Sequence, residues 1–480
     1  MNDLYKNYNQ SVINTDNYER RRFNKIYNMS GAMRDLNVFD KPFPTFEPLL
    51  GDIWSSLYKM SPEMKDDTQI DDELKTNHSL IDSMLKDEDF NKYHEYTKLD
   101  ELSSAIGTVK FGEKTKDWLE EKRQENDDLN EKSQDIQAKQ RQLEKQENEN
   151  GEVNEQLEKD LNQAMSELQD SVSQELENSD SFSDKLSEAF SETEQTKEEV
   201  KSLLGGTKAG SDEAELKKTP LRDKLNLADQ LIHNDYLKEI SEWAGRFKQI
   251  AKNKQKSKHT DSMERKGVTI GSDIEMMLPS ELALYKHNST KQDFLRRFAE
   301  GQVMQYDNEA KEKLGKGPVI ICLDQSGSMT GLDEQSKGFV LALMGIAKKQ
   351  KRDFCFIPFS TSSEIYRFSK GKITTAEMVE ICQNFLGGGT DFYSPLSESL
   401  QVIKESKFKQ SDIVFVTDGV ANLDDQFLHE FNHTKQEKDF SVLSLVIGNS
   451  GDATVPKSFS DNVKLVEDFT DESSFTAFEI

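Results

Sequence analysis

The sequence predicts an α/β chain: an all-α N-terminal region with a helical or coiled-coil arm, then a C-terminal doubly wound, mainly parallel sheet. Three observations predict it. Residues 46–58 step their apolar side chains by three and four, the spacing of an amphipathic helix. Residues 114–201 are rich in Glu, Gln, Lys, Asn, Asp and Ser and lack proline, with a sparse apolar stripe running through them. Beyond residue 314, short continuous apolar runs alternate with helical patterns, as in strands buried on both faces between crossover helices.

At 480 residues and 54.9 kDa the chain is too long for one ordinary core. Four regions are expected: a helical N-terminal domain over 1–113, an acidic helical arm and flexible linker over 114–210, a helical region with a basic segment over 211–313, and the α/β domain over 314–480. A hydrophobic fraction of 34% against 31% charged residues implies that part of the chain is solvated helix or disordered. The formal charge of -27 argues against nucleic acid as a partner, because a polyanion is repelled across most of such a surface. The polar N-terminus lacks the pattern of a secretory signal, and no apolar run approaches the roughly 20 residues that span a bilayer, so no transmembrane segment and a cytoplasmic location are expected. Cys322, Cys355 and Cys382 sit in apolar surroundings without metal-ligand spacing and read as buried reduced thiols.

In the first region, Phe46, Leu49, Leu50, Ile53, Trp54, Leu57 and Tyr58 share a core-facing helix face, with Thr45 placed to cap it and Pro48 in its first turn. In the second, Leu157, Leu161, Met165, Leu168, Val172 and Leu176 form a narrow seam, while Leu129, Ile136 and Leu143 recur once per seven residues. Asn150-Gly151 between them suits a chain reversal, giving a helical hairpin, with disorder as the alternative. Past Ser181 the Ser/Glu-rich stretch and Leu204 to Gly210 read as a flexible linker.

The third region opens with Pro220 in a first helical turn, and an apolar face of Leu221, Leu225, Ala228, Leu231 and Ile232 continues through Tyr236, Leu237, Ile240, Trp243, Ala244 and Phe247. The basic run RFKQIAKNKQKSKH follows, either a solvated helix end or a contact for an acidic partner, the chain's own arm included. Glu281 in LPSELA suits the opening of a helix.

In the fourth region the runs at 318–323, 354–359, 413–417 and 442–447 read as strands, with a helix over 339–347. Sites in doubly wound sheets gather at the carboxyl ends of the strands. Three loops there carry chemistry: Asp324-Gln-Ser326-Gly-Ser328, Gly387-Gly-Gly-Thr390-Asp391, and Thr417-Asp418-Gly419. Two carboxylates and three hydroxyls are hard oxygen donors of the class that suits Mg²⁺, and no His or Cys ligand adjoins them to favour zinc. Asp324 and Asp418 would neutralise a divalent ion while leaving water positions open, one of which an acidic side chain from another protein would fill. A serine nucleophile is disfavoured, since QSGSM is not a Gly-x-Ser-x-Gly elbow and His429 and His433 lie in a polar helix. A phosphate loop is excluded by glycine spacing. Asp391 suits a helix cap before Tyr393, and Asp424 with Asp425 a helix start.

DQSGS, Thr390 and Asp418 together resemble the DxSxS…T…D pattern of the metal-ion-dependent adhesion site (MIDAS) of von Willebrand factor A (VWA) domains, over residues 314–480. The resemblance implies Ser326, Ser328 and Thr390 as hydroxyl ligands, Asp324 as the first-loop carboxylate, Asp418 as the third-loop carboxylate, and Mg²⁺ or Mn²⁺ as the metal. Upstream, ISEWAGRFKQIA, GSDIEMMLPSELALY, FLRRFAEGQVMQY and GKGPVIICLDQSGSMTG resemble the ViaA-like bacterial partners of MoxR-type AAA+ ATPases. This implies a non-enzymatic, chaperone-like adaptor that works with such an ATPase on the assembly or maturation of protein complexes, with a client protein or the ATPase supplying an acidic residue to the metal site. Two other readings stay open: a metal-dependent hydrolase or phosphatase, and a coiled-coil structural scaffold.

Overall fold

The computed structural model describes residues 11–38, 43–150, 155–178, 180–205, 216–261, 268–271, 277–287, 289–306, 317–405, 411–419, 421–448 and 453–479. Most of the chain falls into two compact units, the first drawing on Met1–Gly205 and Asp212–Glu242, the second on Trp243–Thr374 and Glu380–Ile480.

The first unit is helical: α1 (Asn17–Met29), α2 (Gly31–Val38), α3 (Phe46–Tyr58), α4 (Lys75–Lys86), α5 (Phe90–Thr97), α6 (Glu101–Glu125), α7 (Asp127–Asn150), α8 (Glu155–Asn178), α9 (Ser181–Leu204) and α10 (Leu221–Ile232). Helix α3 buries Phe46, Leu49, Leu50, Ile53, Trp54 and Leu57, as its periodicity predicts. It lies tight against α6, where a Cβ on Gly107 would come within 2.8 Å of Leu57 and one on Gly112 within 2.6 Å of Leu50. Thr45 sits at the N-cap of α3 but makes no capping bond, because its hydroxyl donates to the buried Asn77 amide oxygen at 3.1 Å. Pro220 likewise precedes α10 at its N-cap instead of entering the first turn.

Helices α7 and α8 pack together, burying Leu129 and Ile136 from one and Met165, Leu168 and Val172 from the other. The Leu143 side chain, Gly151 and residues 206–210 lie outside the described residues. The expected linker past Ser181 is instead the long helix α9, packed on α6. Its Phe182, Leu186, Ala189, Phe190, Val200 and Leu203 are buried. Lys110 and Lys114 of α6 pair with Glu192 at 3.0 and 2.7 Å. The Ser/Glu-rich composition hid an apolar face at helical spacing, so the segment orders by packing. The expected boundary at 113/114 falls inside α6.

The division between the units falls inside α11 (Asp235–Asp261). In the second unit a small module follows: β1 (Val268–Gly271), α12 (Pro279–Lys286), α13 (Lys291–Ala299) and β2 (Val303–Tyr306), with the two strands antiparallel around Met277, Phe294 and Val303. Region 211–313 is therefore not all helical. Glu281 stands in the first turn of α12, buried, with its carboxylate 2.8 Å from Arg297.

The main sheet has the order β5-β4-β3-β6-β7-β8, from β3 (Val319–Asp324), β4 (Phe354–Phe359), β5 (Tyr366–Phe368), β6 (Asp412–Thr417), β7 (Ser441–Ile447) and β8 (Asn462–Val466). All neighbours are parallel except the edge strand β5. The unbroken apolar runs split by strand alternation between two cores. Val319, Ile321 and Leu323 face one with α14 (Asp333–Gln350), while Ile320 and Cys322 face the other with α16 (Tyr393–Glu405) and α17 (Asp425–Lys438). The remaining helices are α15 (Thr375–Gln383) and α18 (Thr454–Phe459).

Phe247 and Ala251 of α11 belong to the first of these cores, with the Phe247 ring 5.6 Å from Phe339 and 6.3 Å from Phe478. The basic run thus begins inside the fold: Lys248 is buried and the Arg246 guanidinium lies 4.8 Å over the Trp243 ring. The side chains of 255–259 lie outside the described residues. All three cysteines are free and buried, and burial pushes the thiols of Cys355 and Cys382 up to about 12. Among the described residues no helix is long and apolar enough to cross a membrane.

Candidate metal centre

The chain runs from β3 outward to β4 on one side and returns to β6 on the other, so the topological switch point lies between β3 and β6. Asp324 ends β3 and Thr417 ends β6, and the loops that follow them meet at this rim.

The first loop turns on Asp324. Its Oδ1 accepts from the Ser326 backbone N–H at 2.9 Å and its Oδ2 from the Thr417 hydroxyl at 2.5 Å. The side chain is buried, and burial raises its pKa against the lowering effect of those hydrogen bonds. The hydroxyls of Ser326 and Ser328 lie 3.1 Å apart, and Ser328 donates to Asp418 Oδ1 at 2.9 Å. One hydrogen-bonded chain therefore joins four of the five residues singled out in the sequence.

The fifth, Thr390, arrives on the glycine loop. Gly387 and Gly388 adopt φ of 65° and 96°, which a side-chain-bearing residue rarely tolerates. The Gly387 N–H donates to the Gln325 carbonyl at 2.9 Å, and the Gly327 N–H donates to the Gly388 carbonyl at 3.0 Å, lacing the second loop to the first. Thr390 then abuts the third loop, where a Cβ on Gly419 would lie 3.0 Å from its hydroxyl.

Several supporting residues carry no role in the sequence reading. Thr417 links β6 to Asp324 and also accepts from the Gly419 N–H at 3.0 Å. Its only sequence signal is a hydroxyl closing an otherwise apolar strand. Lys337, fully buried in α14, donates to Asp333 at 2.8 Å and to the Cys382 carbonyl at 2.7 Å, which anchors the chain just ahead of the glycine loop. A lysine in a helix gives no sign of that distant carbonyl. Asp391 and Asp424 cap their helices as expected, accepting from Tyr393 and Ser394, and from Gln426 and Phe427.

The donor set is two carboxylates and three hydroxyls, with no nitrogen or sulfur. Among the described residues no three His, Cys, Asp or Glu side chains gather into a cluster. Such a site fits a hard divalent cation with incomplete protein ligation, and suits zinc poorly. The hydrogen bonds of Ser326 and Ser328 run to each other and to Asp418, with no histidine base among them.

No family model matches the chain. An uncharacterized protein of Methanocaldococcus jannaschii is 28% identical over 475 residues, which is 97% of this chain and 98% of that protein. The regulatory protein ViaA of Proteus mirabilis is 30% identical over 223 residues, 43% of this chain and 46% of that protein, so the match spans about half of each. A von Willebrand factor type A structure from Catenulispora acidiphila overlays 34% of this chain and 41% of that chain, at 14% identity and a TM-score of 0.27. With the doubly wound sheet and its DxSxS, Thr and Asp rim in place, the chain resembles the ViaA regulatory proteins over the matched part of its length, and its C-terminal α/β unit has a VWA-like fold.

Proposed function

We propose that this chain is a non-enzymatic cytoplasmic adaptor that grips protein partners through a divalent-metal site formed by Asp324, Ser326, Ser328, Thr390 and Asp418, and that it works with a MoxR-type AAA+ ATPase in remodelling or maturation of protein complexes. The observation that carries the metal reading is the hydrogen-bonded chain from Asp324 through Ser326 and Ser328 to Asp418. It holds two like-charged carboxylates at one rim, and a cation between them offsets their repulsion. Mg²⁺ or Mn²⁺, when bound, supplies a hard acidic position that a partner's carboxylate completes.

The chain's own residues set the conditions for that contact. Thr417 and the Ser326 N–H fix the Asp324 carboxylate from behind. The glycine loop delivers Thr390 without a side chain of its own blocking the approach. The name of the ViaA relatives, regulatory protein, supports a regulatory and non-catalytic role. The ATPase partnership rests on the sequence resemblance.

The test is co-purification of the full chain with the MoxR-type ATPase and with candidate clients, in Mg²⁺ or Mn²⁺ and in EDTA, for wild type, Asp418→Ala and Asp324→Ala. Binding should be lost with EDTA and with either substitution while circular dichroism is retained. Equal capture in all conditions sinks the metal contact. Phospho- or acyl-ester turnover by the purified chain would favour a hydrolase, and partner capture by a chain lacking residues 314–480 would favour a scaffold.

A further inference from the structure

Near the metal centre stands a large exposed ring with no place in the chemistry above. From residue 317 onward, the exposed large apolar side chains among the described residues are Ile365, Tyr393 and Leu465. Leu465 belongs to β8 at the far edge of the sheet. Tyr393 stands directly after the glycine loop. Tyr393 opens α16 three residues after Thr390, and its backbone N–H is held by Asp391, 3.2 Å away. Ile365 lies in the segment after β4, where a Cβ placed on Gly388 or Gly389 would meet Thr361 at 3.6 or 3.3 Å. The Ser363 and Ser394 hydroxyls, 2.6 Å apart, join that turn to the first turn of α16.

The Tyr393 ring is pinned although it is 53% exposed. Its centroid is 4.7 Å from that of Phe427, the buried residue that α17 sets down just after the third loop. A rigid, half-exposed aromatic costs little entropy to bury further, and such residues anchor interfaces. The loops that reach the site and the helices that follow them carry Asp391, Asp418, Asp424 and Asp425, an excess of acid that disfavours a polyacidic ligand.

We infer that Tyr393 is a specificity shelf for the metal site, and that the occupant is a short exposed segment of a partner protein whose metal-seeking Asp or Glu is flanked within two residues by a large apolar side chain. The inference rests on the metal-site reading and adds the flanking residue to it. The carboxylate accounts for metal dependence, and the apolar neighbour accounts for the choice among the many surface carboxylates of a cell.

The test uses a phage-displayed library of nine-residue peptides with a central Asp or Glu, panned on the full chain in Mn²⁺ and eluted with EDTA. Wild type should enrich peptides with Leu, Ile, Met or Phe within two positions of the acid. Tyr393→Ser should keep EDTA-eluted binding of acidic peptides but lose the apolar enrichment. A synthetic peptide chosen on wild type should bind Tyr393→Ser about tenfold more weakly, with Mn²⁺ affinity and melting temperature unchanged. An unchanged apolar preference in Tyr393→Ser, or none in wild type while EDTA-eluted binders are present, overturns the shelf and leaves the metal site standing. Absence of any EDTA-eluted binder from wild type overturns both.

Discussion

Gly419→Ala isolates the Thr390 hydroxyl without touching a donor. Gly419 follows Asp418 and has no left-handed φ, so an alanine meets no backbone strain there. Its Cβ would stand 3.0 Å from the Thr390 oxygen, where ordinary contact begins at 3.4 Å, and it would already touch Thr390 Cγ2 at 3.4 Å and Cβ at 3.5 Å. Rotation of Thr390 in place exchanges one close contact for another, so the hydroxyl has to yield by about 0.4 Å, the difference between the first two distances. Metal sites hold their ligand distances to about ±0.2 Å, and Mg²⁺ in particular demands near-ideal octahedral geometry. The displacement is about twice that tolerance. It should cost about 10- to 100-fold in affinity, the range for disturbing a supporting group, or about 1.4 to 2.7 kcal/mol. Isothermal titration with Mn²⁺ measures it directly, with melting in EDTA as the control for folding and Thr390→Val as the limit in which the hydroxyl is absent. If Thr390→Val abolishes Mn²⁺ binding and Gly419→Ala binds as wild type does, the steric reasoning is wrong. If neither variant changes Mn²⁺ binding, Thr390 is no ligand.

Three further outcomes test the scaffold. Burial pushes the Asp52 carboxyl up to about 7, against hydrogen bonds from Ser11 and the Val12 N–H; the folded chain then holds a proton that the unfolded chain releases near pH 4, so stability falls as pH rises from about 4 to 7, by on the order of 4 kcal/mol. Asp52→Asn should flatten that slope in urea midpoints taken at pH 5 and pH 8, and an unchanged slope assigns it elsewhere. Lys337→Ala removes a fully buried cation 2.8 Å from the Asp333 carboxylate and should cost about 3 to 5 kcal/mol; a melting temperature within a degree of wild type would refute the pairing. Phe190→Ala empties the site packed by Tyr93 and Tyr96, with ring centroids 4.7 and 5.7 Å away, and should cost about 3 to 5 kcal/mol; if α9 were a linker, the change would be silent.

What was legible in the sequence divides along a physical line. The four central strands show because burial on both faces leaves nothing polar to blur them, and β3 is buried at every position. Edge strands β5 and β8 do not show, because charged residues such as Arg367 and Lys464 interrupt them. The candidate metal residues show because each sits where an apolar strand stops or a glycine run ends, which is where chemistry stands out from packing. Thr417 and Lys337 act through contacts 93 and 45 residues distant in sequence, and no local pattern encodes a contact at that range. Helix α9 is hidden for a different reason: its Ser/Glu-rich composition masks its period. Phe182, Leu186, Ala189, Phe190 and Val200 keep helical spacing inside a run of Ser and Glu, and a narrow stripe suffices when the facing helix supplies Lys110 and Lys114 to meet Glu188 and Glu192.

The same distinction bears on function. Asp324 is held by donors from its own loop and from β6, and Thr390 by a loop laced to the first through backbone bonds alone. Asp418 reaches the group through one serine hydroxyl. The first two loops are therefore a prebuilt half of the centre, and Asp418 is the member with the least holding it to them. On this geometry Ser328→Ala, which removes the single side-chain link, should weaken Mn²⁺ binding more than loss of one neutral hydroxyl ligand alone predicts. A double-mutant cycle with Asp418→Asn measures the excess as a coupling energy of about 0.5 to 3 kcal/mol. Strict additivity of the two substitutions would show that the third loop finds its place without the serine.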